Sequence, residues 1–502
     1  MASLPKVAQL TVTDLFCKRV SMHPEAPAIS GGERTLSYGE LEQRVRQWAA
    51  LLRQYGLTRG QRIVLWSENR IEYVEILLAG ARLGVTVACL NWRLGGEEQL
   101  HCIRLVRPRL ALVSERYRQA FSDMPHGVPQ VIHLDAPAAA PAGLESGPFE
   151  DVDPEDGFLI LYTSGTTGLP KGAVISQRAT IARSQAFASQ YGITSEDGFI
   201  AWSPFFHMAA TDHALATLLL GGHVTVHDGF GAARICDVIE RERIGWLMAM
   251  PGVIEQMIDE LRSRPRRVLG VKMVGAMADL VPRQQLSELT ALLGAPYLNT
   301  FGSTETGLAP ASAALLPAGE TSLDLSKREF GWCRVRLVDE QGRDVPDGVA
   351  GDILVRGPSM FSGYWDGDRL NDQELADGWF NMGDMFVRNP DGSLGFVDRS
   401  KYLIKSGGEN VYPAEVERVL LSHPDVVEAV VVRRADERWG EVPVAFVAHR
   451  ENAGLTEGSI VAYCRERLAS YKIPKEVRFL KEEAFPRSST GKIQKKQVEA
   501  LL

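Results

Sequence analysis

The stretch FLILYTSGTTGLPKG, residues 158–172, decides the reading of this chain. An apolar, strand-like run opens into eleven residues, 162–172, that hold three glycines, four Ser/Thr hydroxyls and a lysine. Glycines let backbone N–H groups converge on an anion where a Cβ would intrude. Thr163, Ser164, Thr166 and Thr167 add hydroxyl donors around Gly165 and Gly168, and Lys171 adds a charge. A strand that empties into such a loop is a phosphate cradle. The spacing G-x-x-x-x-G-K-[ST] is absent, so the loop points to a nucleotide chemistry other than that of P-loop hydrolases. Read alone, it also suits a plain glycine- and hydroxyl-rich turn.

Outward from the loop, residues 36–55 have the period of an amphipathic helix, 62–66 of a strand and 73–84 of a second helix. Helix and strand periods alternate in this way through most of the first 400 residues, the pattern of stacked α/β layers with largely parallel sheets. A chain of 502 residues is too long for one hydrophobic core. The proline- and alanine-rich residues 135–152 read as a surface connector, and a second break falls at 398–410, before a helix-like segment at 413–421. The expected division is an α/β N-terminal domain over residues 1–400 and a small α+β domain over 401–502.

A formal charge of −8 argues against a nucleic-acid partner, and no run of 18 apolar residues suggests a membrane span. The polar N-terminus is not that of a signal peptide, which gives an expectation of cytoplasmic residence. Six cysteines without CxxC spacing read as buried thiols rather than disulfides or a metal site. Whether the chain forms a homodimer is left open.

Three further segments carry nucleotide chemistry. In FGSTETG, residues 301–307, the Phe301 ring can stack a base and Glu305 can hold Mg2+ through oxygen, although the same residues also suit a polar helix cap. In GWFNMGD, residues 378–384, Asp384 offers paired acceptors to a ribose diol, and Arg399 follows fifteen residues later, close enough for the same ribose or a plain ion pair. Near the end, PRSSTGKIQKK places Lys492 after Gly491 in a polar turn, from which an ammonium can be delivered as a point charge, although the same residues also suit a terminal basic surface cluster.

In their order and spacing these segments, together with DRSKYLIKSGGENVYPAEVE at 398–417, resemble the adenylate-forming superfamily of acyl-CoA synthetases, peptide-synthetase adenylation domains and beetle luciferases, over about residues 10–500. The resemblance implies a distorted barrel within the N-terminal domain and a mobile C-terminal domain. It also implies a two-step ligase reaction that uses ATP, Mg2+ and coenzyme A on a small carboxylic acid. Residues 163–171 would hold the β- and γ-phosphates, Thr304 the α-phosphate, Glu305 the metal, and Lys492 the oxygens of the forming adenylate. Gly275, Ala276, Met277 and Phe301 would flank adenine, while Asp384 and Arg399 would hold ribose. Ser406, Gly407 and Gly408 would border the pantetheine tunnel, and Lys401 stands at the hinge, where aspartate is commoner.

His207, in WSPFFHM, matches a position bordering the acyl carboxylate. No general base is required there, because a carboxylic acid is already ionised at neutral pH. By the same resemblance the acyl pocket draws on Phe206, Met208, Met250, 274–277, 300–302 and 307–309. This apolar set suits a medium-chain, branched, alicyclic or aromatic acid and disfavours an amino acid, whose ammonium would need a buried carboxylate. The sequence leaves two other readings: an enzyme loading a separate acyl carrier protein, and a noncatalytic nucleotide-binding relative.

Overall fold

A computed structural model describes residues 9–135, 151–163, 169–250, 252–264, 266–278, 281–321, 324–406, 409–450, 454–487 and 493–502. Most of the connector expected at 135–152 lies outside these residues. The chain folds as two compact units, Met1–Val335 with Val355–Phe380, and Arg336–Leu354 with Asn381–Leu502.

The first unit holds an eight-stranded sheet in the order Arg369–Asn371, Gly363–Asp366, Lys171–Ser176, Gly157–Thr163, Thr86–Cys89, Arg62–Trp66, Leu110–Val113, Val131–His133. The strands from Gly157–Thr163 to Val131–His133 pair in parallel, whereas Lys171–Ser176, Gly363–Asp366 and Arg369–Asn371 are added antiparallel. The strand leading into the phosphate loop is thus the last parallel strand, and the strand leaving it turns straight back. Its five inner residues are buried, as befits a parallel strand covered on both faces. Ile160 and Tyr162 pack with Val64, Ala88, Val113 and Val174.

Helices cover these sheets for reasons visible in their own segments. Tyr38–Gln54 starts at a capping box in which Ser37 accepts from the Glu40 N–H, and it buries Leu41, Val45, Trp48 and Leu52 along one face. Two further four-stranded sheets complete the unit. One runs Arg34–Ser37, Pro27–Gly31, Val224–Val226, Phe199–Ala201, and the other Ile244–Met248, Val271–Gly275, Tyr297–Leu298, Leu315–Leu316.

The alternation of helix and strand stops sooner than the sequence periods suggest. After Leu293 the described residues form strands and short 3-10 turns until the helix Pro413–Leu421. Tight turns explain the change: Gly342 and Gly392 sit at φ of 75° and 80°, where glycine closes an antiparallel connection without a Cβ penalty.

Arg334–Val338, Ala350–Arg356, Phe380–Arg388 and Leu394–Arg399, most of whose residues belong to the second unit, form one sheet. Glu409–Val411, Ile404–Ser406, Gly440–His449 and Val426–Asp436 form another, extended by Glu476–Phe479. The Asp398 carboxylate accepts from Ala414 N at 2.6 Å and so caps Pro413–Leu421, whose Pro413 needs no hydrogen bond there.

All six cysteines are unbonded, four of them buried, and no helix among the described residues is long and apolar enough to cross a membrane.

One buried histidine ties stability to pH. His213, on Met208–Leu220, sits edge-on to Phe187 and Trp246 at 4.6 and 4.3 Å and donates Nδ1–H to Ala209 O at 2.9 Å. Burial pushes its pKa from 6.5 down to about 3. As pH falls below 6.5 the unfolded chain takes up a proton that the folded one refuses, so stability drains away toward pH 3 at about 1.4 kcal/mol per pH unit. His213→Leu removes this term. Denaturant titrations are expected to show the gap between wild type and variant shrinking by about 2 kcal/mol from pH 7 to pH 5; a constant gap would refute the assignment.

Candidate active site

Thr163, the last residue of its strand, pairs with Lys171, the first of the next. Ser164, Gly165, Thr166, Thr167 and Gly168 lie outside the described residues. Lys171 Nζ is 3.2 Å from Glu374 Oε1 and 4.7 Å above the Tyr364 ring. The Tyr364 hydroxyl donates to Glu305 Oε1 at 2.6 Å. Burial and the neighbouring Glu305 charge push the Tyr364 pKa far upward, so the phenol stays protonated and remains a donor. One tyrosine therefore joins the foot of the phosphate loop to the carboxylate expected to hold a metal.

Tyr364 and Glu374 were not among the residues singled out in the sequence. The signal available was Gly363, at φ 133°, where a Cβ would stand 2.4 Å from Asn371 O. Only glycine permits that close strand pairing, and it brings Tyr364 opposite Ala173, two residues past Lys171.

FGSTETG is a hairpin turn between Gly302–Ser303 and Gly307–Pro310, not a helix cap. The reason is steric. A Cβ on Gly302 would lie 1.9 Å from Gly307 O, and Gly307 adopts φ 69°. Ser303 and Thr306 close the turn, with Thr306 N donating to Ser303 O at 3.1 Å and Ser303 N to Thr306 Oγ1 at 3.0 Å. This puts Thr304 and Glu305 at the corner, where Glu305 O also accepts from Phe361 N at 2.8 Å. Phe301, 8% exposed, keeps its ring 5.9 Å from the Lys327 ammonium, which is bonded to Asn299 Oδ1.

Gly275 ends the strand Val271–Gly275 at φ 129°, and a Cβ there would fall 2.6 Å from the Tyr297 ring. Ala276 O accepts from Thr300 N, tying Gly275, Ala276 and Met277, expected beside adenine, to the segment that leads into Phe301. His207 precedes Met208–Leu220 as its N-cap residue and meets the Phe206 ring at 4.5 Å. Phe206 in turn meets Trp92 edge-on at 5.6 Å. The wall beside His207 is thus aromatic.

In the second unit, Asp384 and Arg399 face each other across Phe380–Arg388 and Leu394–Arg399, with Arg399 Nε 3.1 Å from Asp384 Oδ1. Asp384 is 3% exposed, and a register shift follows it between Met385 and Phe386. Such a bulge re-aims side chains at the edge of a site. Lys401 follows in the 3-10 turn Ser400–Tyr402, its pKa lowered by burial and by the charges of Arg399 and Lys496. Ser406 is buried where Ile404–Ser406 meets Gly440 of the next strand. Gly407, Gly408 and Lys492 lie outside the described residues.

The donor set fits a magnesium ion. No group of three His, Cys, Asp or Glu side chains converges among the described residues, which rules out an all-protein cage there. Mg2+ is commonly held by one or two carboxylates and completed by substrate phosphates and water, and Glu305, beside the phosphate loop, can supply that carboxylate.

Comparison with known proteins agrees with this geometry. Residues 16–365 match the family model of the AMP-binding enzymes, and residues 415–492 match that of the AMP-binding enzyme C-terminal domain. The indoleacetate–CoA ligase of Aromatoleum aromaticum is 34% identical, with 98% of each chain covered. The 2-succinylbenzoate–CoA ligase of Geobacillus kaustophilus is 33% identical over the same shares. The solved o-succinylbenzoate CoA synthetase of Bacillus subtilis, in complex with its acyl-adenylate intermediate, superposes with a TM-score of 0.86 at 26% identity and 98% coverage of both chains. The chain therefore belongs to the AMP-binding enzyme family as an adenylate-forming acyl-CoA synthetase, an acid–thiol ligase that uses ATP, Mg2+ and coenzyme A and releases AMP and pyrophosphate.

Proposed function

We propose that the acid is one carrying an aromatic ring, activated at the corner formed by Thr304 and Glu305. The observation that carries the assignment of the reacting site is Tyr364, whose hydroxyl holds Glu305 while the Lys171 ammonium lies over its ring. An ammonium and a carboxylate meeting at one phenol support reading Lys171 as a phosphate contact and Glu305 as the metal ligand. The ring preference draws on the aromatic wall of Phe206, Trp92 and His207 and on relatives named for indoleacetate and 2-succinylbenzoate, both ring acids.

In the first step a carboxylate oxygen attacks the α-phosphorus of ATP, the bond to the β-phosphate oxygen breaks, and pyrophosphate leaves with the electron pair. Thr163 and Lys171 hold the departing phosphates, Thr304 the α-phosphate, and Lys492 the charge that develops there. Glu305 would hold Mg2+, whose chemistry is neutralisation of phosphate charge. Asp384 and Arg399 bind ribose. In the second step the coenzyme A sulfur attacks the acyl carbon and AMP departs. Residues 406–408 border the coenzyme A thiol in this step.

The test is AMP formation from ATP and Mg2+ across aliphatic, alicyclic and aromatic acids, with and without coenzyme A. Coenzyme A-dependent turnover that ranks ring acids at least tenfold above straight chains supports the reading. Straight-chain acids ranking first would overturn the ring preference, and adenylation without thioester would point to a carrier protein as acceptor.

A further inference from the structure

Arg183 lies on the helix Gln177–Tyr191 in phase with the buried residues Ala179, Ala182, Ala186 and Phe187, and is itself 7% exposed. A guanidinium in such a place must have its donors satisfied. Its Nη1 meets Asp212 Oδ2 at 2.9 Å, its Nε donates to Ser359 O at 2.9 Å, and its Nη2 donates to Thr304 O at 3.0 Å. Its stem packs under Gly307, where a Cβ would stand 3.2 Å from Cγ and Cδ. Asp212, on Met208–Leu220, is equally buried and supplies the compensating charge. Around the pair lie Phe187, Ala216, Leu308 and Phe330.

The contact with Thr304 has a directional consequence. In a trans peptide the carbonyl and the following N–H point in opposite directions. With Thr304 O turned toward Arg183, the Glu305 N–H is aimed the other way. A flipped peptide would bring the Thr304 carbonyl, a partial negative charge, to the side where the N–H now points. The same guanidinium holds Ser359 O, five residues before Tyr364, so the turn and the segment leading to Glu305's phenolic partner hang from one group.

We infer that Arg183 is a positioning residue for adenylation: it locks the Thr304–Glu305 peptide so that Thr304 faces the α-phosphate and its carbonyl stays turned away. This rests on the reading of Thr304 as the α-phosphate contact. Arg183 touches no substrate itself and acts through the turn. Asp212 keeps the guanidinium in the core and leaves its other two edges for the carbonyls.

The test compares AMP with adenosine, which differ by the phosphate alone, by calorimetric titration of the full chain. Removing one member of a buried ion pair strands the other charge, whereas replacing both by apolar residues is commonly tolerated. Arg183→Met with Asp212→Leu is therefore the main variant. Arg183→Lys, which keeps the charge facing Asp212 but cannot span three acceptors, serves if the double variant fails to fold. AMP affinity is expected to fall about tenfold or more with adenosine affinity within twofold, as for loss of a hydrogen bond to a charged group. Equal losses for both ligands, or none, overturn the inference. Thr304→Ala separates the two claims. If it loses AMP selectively while the Arg183 variants do not, the positioning role fails and the Thr304 contact stands. If Thr304→Ala also leaves AMP unaffected, the reading of Thr304 fails and the inference falls with it.

Discussion

Lys492→Ala is expected to lower ATP–pyrophosphate exchange by about 10²- to 10³-fold, the range for removing a preorganised group that meets charge as it develops. Conversion of supplied acyl-adenylate to thioester should fall by less than about threefold, because the charge that Lys492 meets builds on the α-phosphate oxygens in the first step. The chain on either side of the lysine is tied down. Arg487 pairs with Ile493, Gln494 N donates to Pro486 O at 2.8 Å, and Phe485 and Val498 are buried with Val432, Val444 and Phe446 against the sheet. None of these anchors is made by Lys492 itself, so the variant should melt within a few degrees of wild type and its loss should be chemical. Measuring both half-reactions on one preparation decides the matter; equal losses in the two would remove the lysine from the first step.

What the sequence made legible, and what it did not, divides along the range of the interactions. The helix read at 36–55 forms as Tyr38–Gln54 and that read at 413–421 as Pro413–Leu421, because capping residues and apolar period lie inside the segment itself. The strand–loop–strand around residues 158–172 was equally local. FGSTETG was recognised for its residues but not for its shape, since the clash that forbids a side chain at Gly302 comes from Gly307 O across the turn. Tyr364 carried no signal of its own as a partner of Glu305, because its reach depends on an antiparallel strand added to the sheet edge from almost two hundred residues downstream of the loop. Arg183 could have been noticed: a lone arginine at helical spacing among buried alanines contradicts its own face, and such a conflict marks a paid-for charge.

Glu305→Gln should be the second large effect, with adenylation reduced by about 10²-fold or more and the Mg2+ concentration for half-maximal rate raised. The amide keeps the size of the side chain and an oxygen that can accept from the Tyr364 hydroxyl, now at 2.6 Å from Glu305 Oε1, so the hairpin loses little. What disappears is the negative charge, on which a hard cation with few protein ligands depends. Tyr364→Phe grades the same site. It removes the donor that orients the carboxylate but leaves its charge, and loss of an outer-shell partner of a metal ligand typically costs about 10- to 100-fold in affinity or activity. The two variants should therefore differ in kind. Raised Mg2+ should recover most of the rate in Tyr364→Phe, where the ligand is present but misaimed, and little in Glu305→Gln, where it is gone. Mg·ATP titrations followed by intrinsic fluorescence, with Trp365 beside the substituted tyrosine as reporter, give the same comparison without turnover. If Glu305→Gln keeps the Mg2+ dependence of the wild type, the metal is held elsewhere and the Tyr364–Glu305 bond only braces the turn.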